Sequence, residues 1–199
     1  MLGNRIQPRF VLVLWLVMQK LIRMVYHVKP LRGDGNDIIC VKLRRYNARP
    51  ITLGDGSEIK AGDRIIELHF NNAWFKKRRK LNLKASSLPW EDLHYFKQDL
   101  SFLAEQIASG MFDRVTALHG TTLLHGPARR LGFQVEELPN TLWKKGTKLY
   151  IAGLMQIYHL GITEKFKIAG KPLVLKEVWL SRAALLRRYG ATHVNLPVS

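Results

Sequence analysis

The chain has 199 residues, 47% of them hydrophobic, which is enough to bury one sizeable core and hardly enough for two. Thirty-two Lys and Arg stand against 15 Asp and Glu, a formal charge of +17 that favours a polyanionic partner and leaves nucleic acid, anionic lipid and envelope polymers open. The lone cysteine, Cys40, excludes an internal disulfide and a thiolate zinc cluster, so nothing demands an oxidising compartment and a cytoplasmic location is expected.

The first element expected is a helix over 9–28, "RFVLVLWLVMQKLIRMVYHV". Its apolar run from Phe10 to Met18 resembles the start of a signal peptide, but Gln19, Lys20 and Arg23 follow where small residues should mark a cleavage site. The run also falls short of the roughly 20 apolar residues that span a bilayer. On a helical wheel Arg9, Lys20, Arg23 and His27 share one side and leave a wide apolar face. Such an amphipathic helix packs on a core or lies in a membrane interface.

Turn signals then come at short intervals, "RGDGND" (32–37), "LGDGSEI" (53–59) and "KAGDR" (60–64), between the β-favouring runs 38–46 and 64–70. Short antiparallel strands are expected. The Asp-Gly pairs lack the alternating oxygen ligands and closing glutamate of a calcium loop. In "RIIELHF" (64–70) the alternation predicts one buried face, with His69 exposed or lining a groove. Next, "NNAWFKKRRKLNLK" (71–84) reads as an exposed loop in which Trp74 and Phe75 precede Lys76, Lys77, Arg78, Arg79 and Lys80. Basic residues contribute on the order of 1 kcal/mol each against an anionic leaflet, and aromatics suit the headgroup level. Together with Lys20 and Arg23 this loop supplies the two signals that stable peripheral binding needs.

A helix follows over 88–109, with Leu93, Phe96, Leu100, Leu103 and Ile107 at helical spacing and Gly110 as its stop. "RVTALHGTTLLHGPARRLGFQV" (114–135) then reads as strand, helix and strand, a crossover whose strands should be parallel, with Gly132 ending the helix. His119 and His125, six residues apart, share no helical face and have no carboxylate or cysteine to complete a metal set, so no metal is expected. His119 is placed at the end of its strand, where α/β sheets carry ligand crevices. Thr121 or Thr122 is expected to cap a helix that begins near Gly126, with "GTTLLH" as loop. His69, His119, Gly120, Thr121 and Thr122 are the candidate pocket. Further on, 149–162 reads as a buried helix, and in 172–190 a strand meets Ser181, an N-cap for a short helix that ends near Arg187 and Arg188. Trp179 and Tyr158 read as core aromatics.

The order of elements, helix, short antiparallel strands, long helix, strand, helix ending in "LGF" and strand, is that of the GNAT acyltransferases over 38–138, and "ARRLGFQV" resembles their "klGFe" segment. Two departures speak against their chemistry. The coenzyme A pyrophosphate loop is replaced by "LKASSLPWED", and Ala128 stands where the acid tyrosine would. Over nearly the whole chain the sequence more closely resembles the YkoP-like domain of Gram-positive bacteria. The segments that carry this are "VLVLWLVMQKLIRMVY", "ITLGDGSEIKAGDRIIELHFNN", "ARRLGF" and "EVWLSRAALLRRYG". That resemblance implies envelope biology, because the domain is also appended to some polysaccharide deacetylases; their "TFDDG" metal motif is absent here.

The expectation is thus one α/β domain over 1–199, with a mixed sheet in GNAT-like order. It comprises an N-terminal amphipathic apolar helix at 9–28, a mixed-sheet core at 38–138 and a C-terminal helix-strand-helix extension at 139–199. No Ser/His/Asp order, P-loop or close carboxylate pair stands out. The sequence favours a non-catalytic, cofactor-free basic domain, cytoplasmic or peripheral to the membrane, whose partner is an anionic membrane surface or envelope polymer. A divergent GNAT-like acyltransferase ranks second and a nucleic-acid-binding protein third.

Overall fold

The computed structural model describes residues 28–71, 74, 77, 93–122, 124–138 and 174–190. The chain divides into two compact units, Met1–Val28 with Asn140–Pro172 and Lys29–Pro139 with Leu173–Ser199, and nearly all the described residues belong to the second. The helices expected over 9–28 and 149–162 lie outside the described residues, as does Tyr158.

Within the second unit a six-stranded mixed sheet is built from β1 (Lys29–Pro30), β2 (Ile39–Arg45), β5 (Arg64–Phe70), β6 (Val115–Thr122), β8 (Lys176–Ser181) and β7 (Gln134–Glu137), in that spatial order. A separate hairpin joins β3 (Ile51–Thr52) to β4 (Glu58–Ile59). Three helices accompany them, α1 (Leu93–Ala108), α2 (His125–Arg130) and α3 (Arg182–Tyr189). All neighbouring pairs in the large sheet are antiparallel except β5 and β6, which α1 connects in parallel.

Local chemistry accounts for most element ends. Pro30 cannot donate to a ladder and sits in the edge strand β1. In the β3–β4 turn Gly56 takes φ +82°, a left-handed conformation that a side chain would resist, and its N–H reaches the Leu53 carbonyl at 2.9 Å. Gly132, at φ +92°, closes α2 as expected. Ser181 caps α3 by accepting from the Ala184 N–H at 2.9 Å, and its hydroxyl also donates to Asp55 in the β3–β4 turn.

Several expectations need correction. The strand at 114–119 runs on through Gly120, Thr121 and Thr122, so His119 lies three residues short of its end. The helix does begin one residue from the expected Gly126, at His125, but its N-cap is Leu124, with no side-chain cap. Thr122 serves instead by accepting from the Leu124 N–H at 2.9 Å. Strands β6 and β7 run parallel without pairing, because β8 inserts between them and bonds to both. The sheet therefore exceeds 38–138. Its fifth strand comes from the C-terminal extension, and β8 holds Val178, Trp179, Leu180 and Ser181 all buried. "RIIELHF" has no single buried face either, since Ile65 and Ile66 are both fully buried.

That double burial follows from two apolar layers. Ile66, Leu118 and Leu180 face Leu100, Leu103 and Ile107 of α1 and Leu185 of α3. On the opposite face Ile65, Ala117 and Trp179 pack with Tyr46, Leu53 and Ile59 around the β3–β4 hairpin. Trp74 joins the first layer with a ring 5.4 Å from that of Tyr95 and only 8% exposure, so it is a core residue and not the exposed aromatic the sequence implied.

One ionic group ties α1 to the sheet. Asp99, 2% exposed, accepts from the Ile38 and Ile39 N–H groups at 2.9 Å each and from Arg32 at 2.7 Å. Burial pushes its carboxyl above the usual range, and the Ile39 amide and the Arg32 guanidinium pull the other way. Asp37 satisfies the Arg32 and Gly33 N–H groups in the preceding turn.

Candidate functional site

The parallel pair fixes where a ligand crevice should open, at the carboxyl ends of β5 and β6. A pocket of about 70 Å³ lies there, and His69, Gly120, Thr121 and Thr122 line it, so the fold gathers four of the five expected residues. Phe70 and Phe96, whose rings meet edge to face at 5.5 Å, and Pro127 supply apolar wall. Pockets for drug-sized ligands hold roughly 300–1,000 Å³, so this one fits a small apolar group and no whole cofactor. A Cβ at Gly120 would meet Val178 at 3.4 Å and the Leu68 carbonyl at 3.6 Å.

His119 points to the other face. Strand alternation turns it away from Leu118 and Gly120 and lays its ring on Trp179, with centroids 4.1 Å apart. The register then assembles a cluster that no single segment contains. Glu67 is the cross-strand partner of Lys42 on one side and of His119 on the other. Arg44 Nε approaches Glu67 at 3.1 Å, and Arg44 Nη2 lies 3.4 Å from His119 Nδ1. His119 Nε2 lies 3.8 Å from Glu177, and His69 Nε2 lies 3.9 Å from Glu67.

The charges have definite consequences. A guanidinium only donates, so the contact with Arg44 makes His119 Nδ1 an acceptor and assigns the proton of a neutral ring to Nε2. That nitrogen, like His69 Nε2, is buried without a hydrogen-bond partner. Burial drives the His69 pKa down; Glu67 opposes the shift, whereas Lys42, His119 and Arg44 reinforce it. Among the described residues no three His, Cys, Asp or Glu are placed to hold a metal ion. Sequence reasoning singled out neither Arg44, Glu67 nor Glu177. Glu67 was readable two residues before His69, but Arg44 and Glu177 join only through strand pairing.

Of the basic residues expected to meet a surface, Lys77 is exposed. Phe75, Lys76, Arg78, Arg79, Lys80, Lys20 and Arg23 lie outside the described residues. A second basic group emerges from the fold at the last turns of α2 and α3, where Arg129, Arg130, Arg187 and Arg188 are all exposed. Arg188 donates to the Arg130 carbonyl at 2.6 Å, and Tyr189 donates to the Leu131 carbonyl at 2.8 Å, so the two helix ends are fastened together. No helix among the described residues is long and apolar enough to cross a membrane.

These features define a basic mixed α/β domain with a small apolar pocket on one face of its sheet and an ionic cluster on the other. The family model of the YkoP domain matches residues 8–189, and the chain belongs to that family. It is 24% identical over 127 residues to the uncharacterised protein YkoP of Bacillus subtilis (strain 168), a span covering 62% of this chain and 68% of that protein. No solved structure matches.

Proposed function

We propose that this YkoP domain is a non-catalytic binding module for a polyanionic surface, an anionic membrane or envelope polymer. The observation that carries the reading is the junction of α2 and α3, where four exposed arginines from two distant segments converge on a chain of formal charge +17. Helix dipoles favour cations at helix C-termini but do not require four on one patch. Concentrated positive charge attracts a polyanion, and the polyanion screens the repulsion within the patch. Cytoplasmic residence with peripheral attachment fits this reading, as does the charge run at 76–80.

The test is sedimentation of the full chain with vesicles of anionic or neutral lipid. Binding to anionic vesicles alone, weakening with salt, is expected. Replacing Arg129, Arg130, Arg187 and Arg188 by Gln should cost on the order of a few kcal/mol of that affinity. Equal binding to both vesicle types would reject the electrostatic reading, and stronger binding to DNA than to vesicles would replace the membrane with nucleic acid.

A second reading, a divergent GNAT-like acyltransferase, draws support from the parallel β5–β6 pair. On the leading reading coenzyme A raises the melting temperature no further than inorganic pyrophosphate does. A ligand at 100 times its Kd would add about 2.7 kcal/mol, so a clear rise beyond the pyrophosphate response would promote the transferase reading.

A further inference from the structure

At the amino ends of β5 and β6, opposite the apolar pocket, Arg45, Arg64 and Arg114 line a cleft of about 310 Å³ together with Gly62, Asp63 and Asp113. Arg45 and Arg64 are direct cross-strand partners in the β2–β5 pair, an arrangement of like charges that destabilises a sheet. Among the described residues neither forms an ion pair; Arg45 donates to the Gly62 carbonyl at 3.1 Å. Asp63 is committed to its turn, where it accepts from the Lys60 N–H at 2.7 Å. Asp113 lies 3.3 Å from Arg114 Nε, so the cleft sets three guanidinium groups against two carboxylates and keeps a net positive charge.

Backbone irregularities converge on the same place. Arg114 stands at φ +59°, the left-handed region that side chains other than Asn and Asp seldom occupy. The β5–β6 register shifts between Arg64 and Ile65, whose partners are Val115 and Ala117. Repelling charges and an unfavourable dihedral each cost stability, and a bound anion would offset the first.

We infer that this cleft binds a phosphate group, mono- or diester, through the forked donors of Arg45, Arg64 and Arg114. The inference rests on the polyanion reading for its source, a lipid headgroup or a free phosphate.

Inorganic pyrophosphate is the probe. It should raise the melting temperature of the full chain, and the double variant Arg45→Gln/Arg64→Gln should weaken that response at least tenfold. No shift, or an equal shift in the double variant, overturns the site. Should the double variant fail to fold, Arg114→Gly keeps the question open to test, because glycine accepts the left-handed dihedral. That variant should melt higher without ligand yet bind pyrophosphate more weakly, and unchanged affinity would overturn the role of Arg114. Displacement of the protein from phosphatidic acid vesicles by pyrophosphate would identify a lipid headgroup as the source. A pyrophosphate shift in a protein that ignores anionic vesicles would identify free phosphate, rejecting the membrane reading while the cleft stands. Vesicle binding that the cleft variants leave intact, with no pyrophosphate shift, would reject the cleft and keep the surface reading.

Discussion

The two faces of the central sheet solve opposite problems with adjacent residues. Leu118 and His119 are neighbours in β6, yet one packs among the apolar side chains of the layer that contains α1 and α3, and the other among Arg44, Trp179 and Glu177. The first environment stabilises by removing carbon from water, worth roughly 25 cal/mol per Å². The second buries the His119 ring beside charges that keep part of their surface in water, and burying a polar group costs stability unless it is bonded. Two buried imidazole nitrogens without partners show that the bonding there is incomplete. The opposite face thus combines the apolar layer of Ile65, Ala117 and Trp179 with polar groups that stability alone does not explain.

The largest expected effect comes from the ionic group that does serve structure. Asp99→Ala leaves the Ile38 and Ile39 N–H groups and Arg32 without their acceptor, and breaking such a buried pair costs about 3–5 kcal/mol. Denaturant unfolding that shows less than 1 kcal/mol would mean that α1 is held by apolar packing alone. Next comes the direct contrast. Leu118→Ala should lose about 2–5 kcal/mol by transfer and cavity terms. His119→Leu should stay within about 1 kcal/mol of wild type, since apolar replacement of buried polar groups is often neutral. A comparable loss in both variants would collapse the distinction between the faces.

The smallest effect is a pH dependence. The folded pKa of His69 is depressed below its unfolded value near 6.5, so the unfolded chain binds the extra proton first as pH falls. The contribution is present in full above that unfolded value and is lost as pH drops through it toward the folded pKa. His69→Gln should therefore flatten the stability profile below neutrality. Urea midpoints measured at a series of pH values check this, and an unchanged slope would assign the acid sensitivity to other groups.

Short-range chemistry was legible from the residues alone. The span of β5, the helical face of Leu100, Leu103 and Ile107, the cap at Ser181 and the turn at Gly132 each depend on a few consecutive side chains, and each stands where the pattern put it. The YkoP family was legible too, because its segments run through most of the chain. What the pattern could not carry was pairing between strands distant in sequence. Only tertiary structure inserts β8 between β6 and β7, buries Trp74, and extends β6 through Gly120 to Thr122. The same pairing brings Arg44, Glu67, His119 and Glu177 together and sets Arg45 opposite Arg64. The physical reason is register. A strand's own residues decide that it alternates, but its partner decides which side chain each residue meets, and that partner is chosen by the burial of the whole sheet.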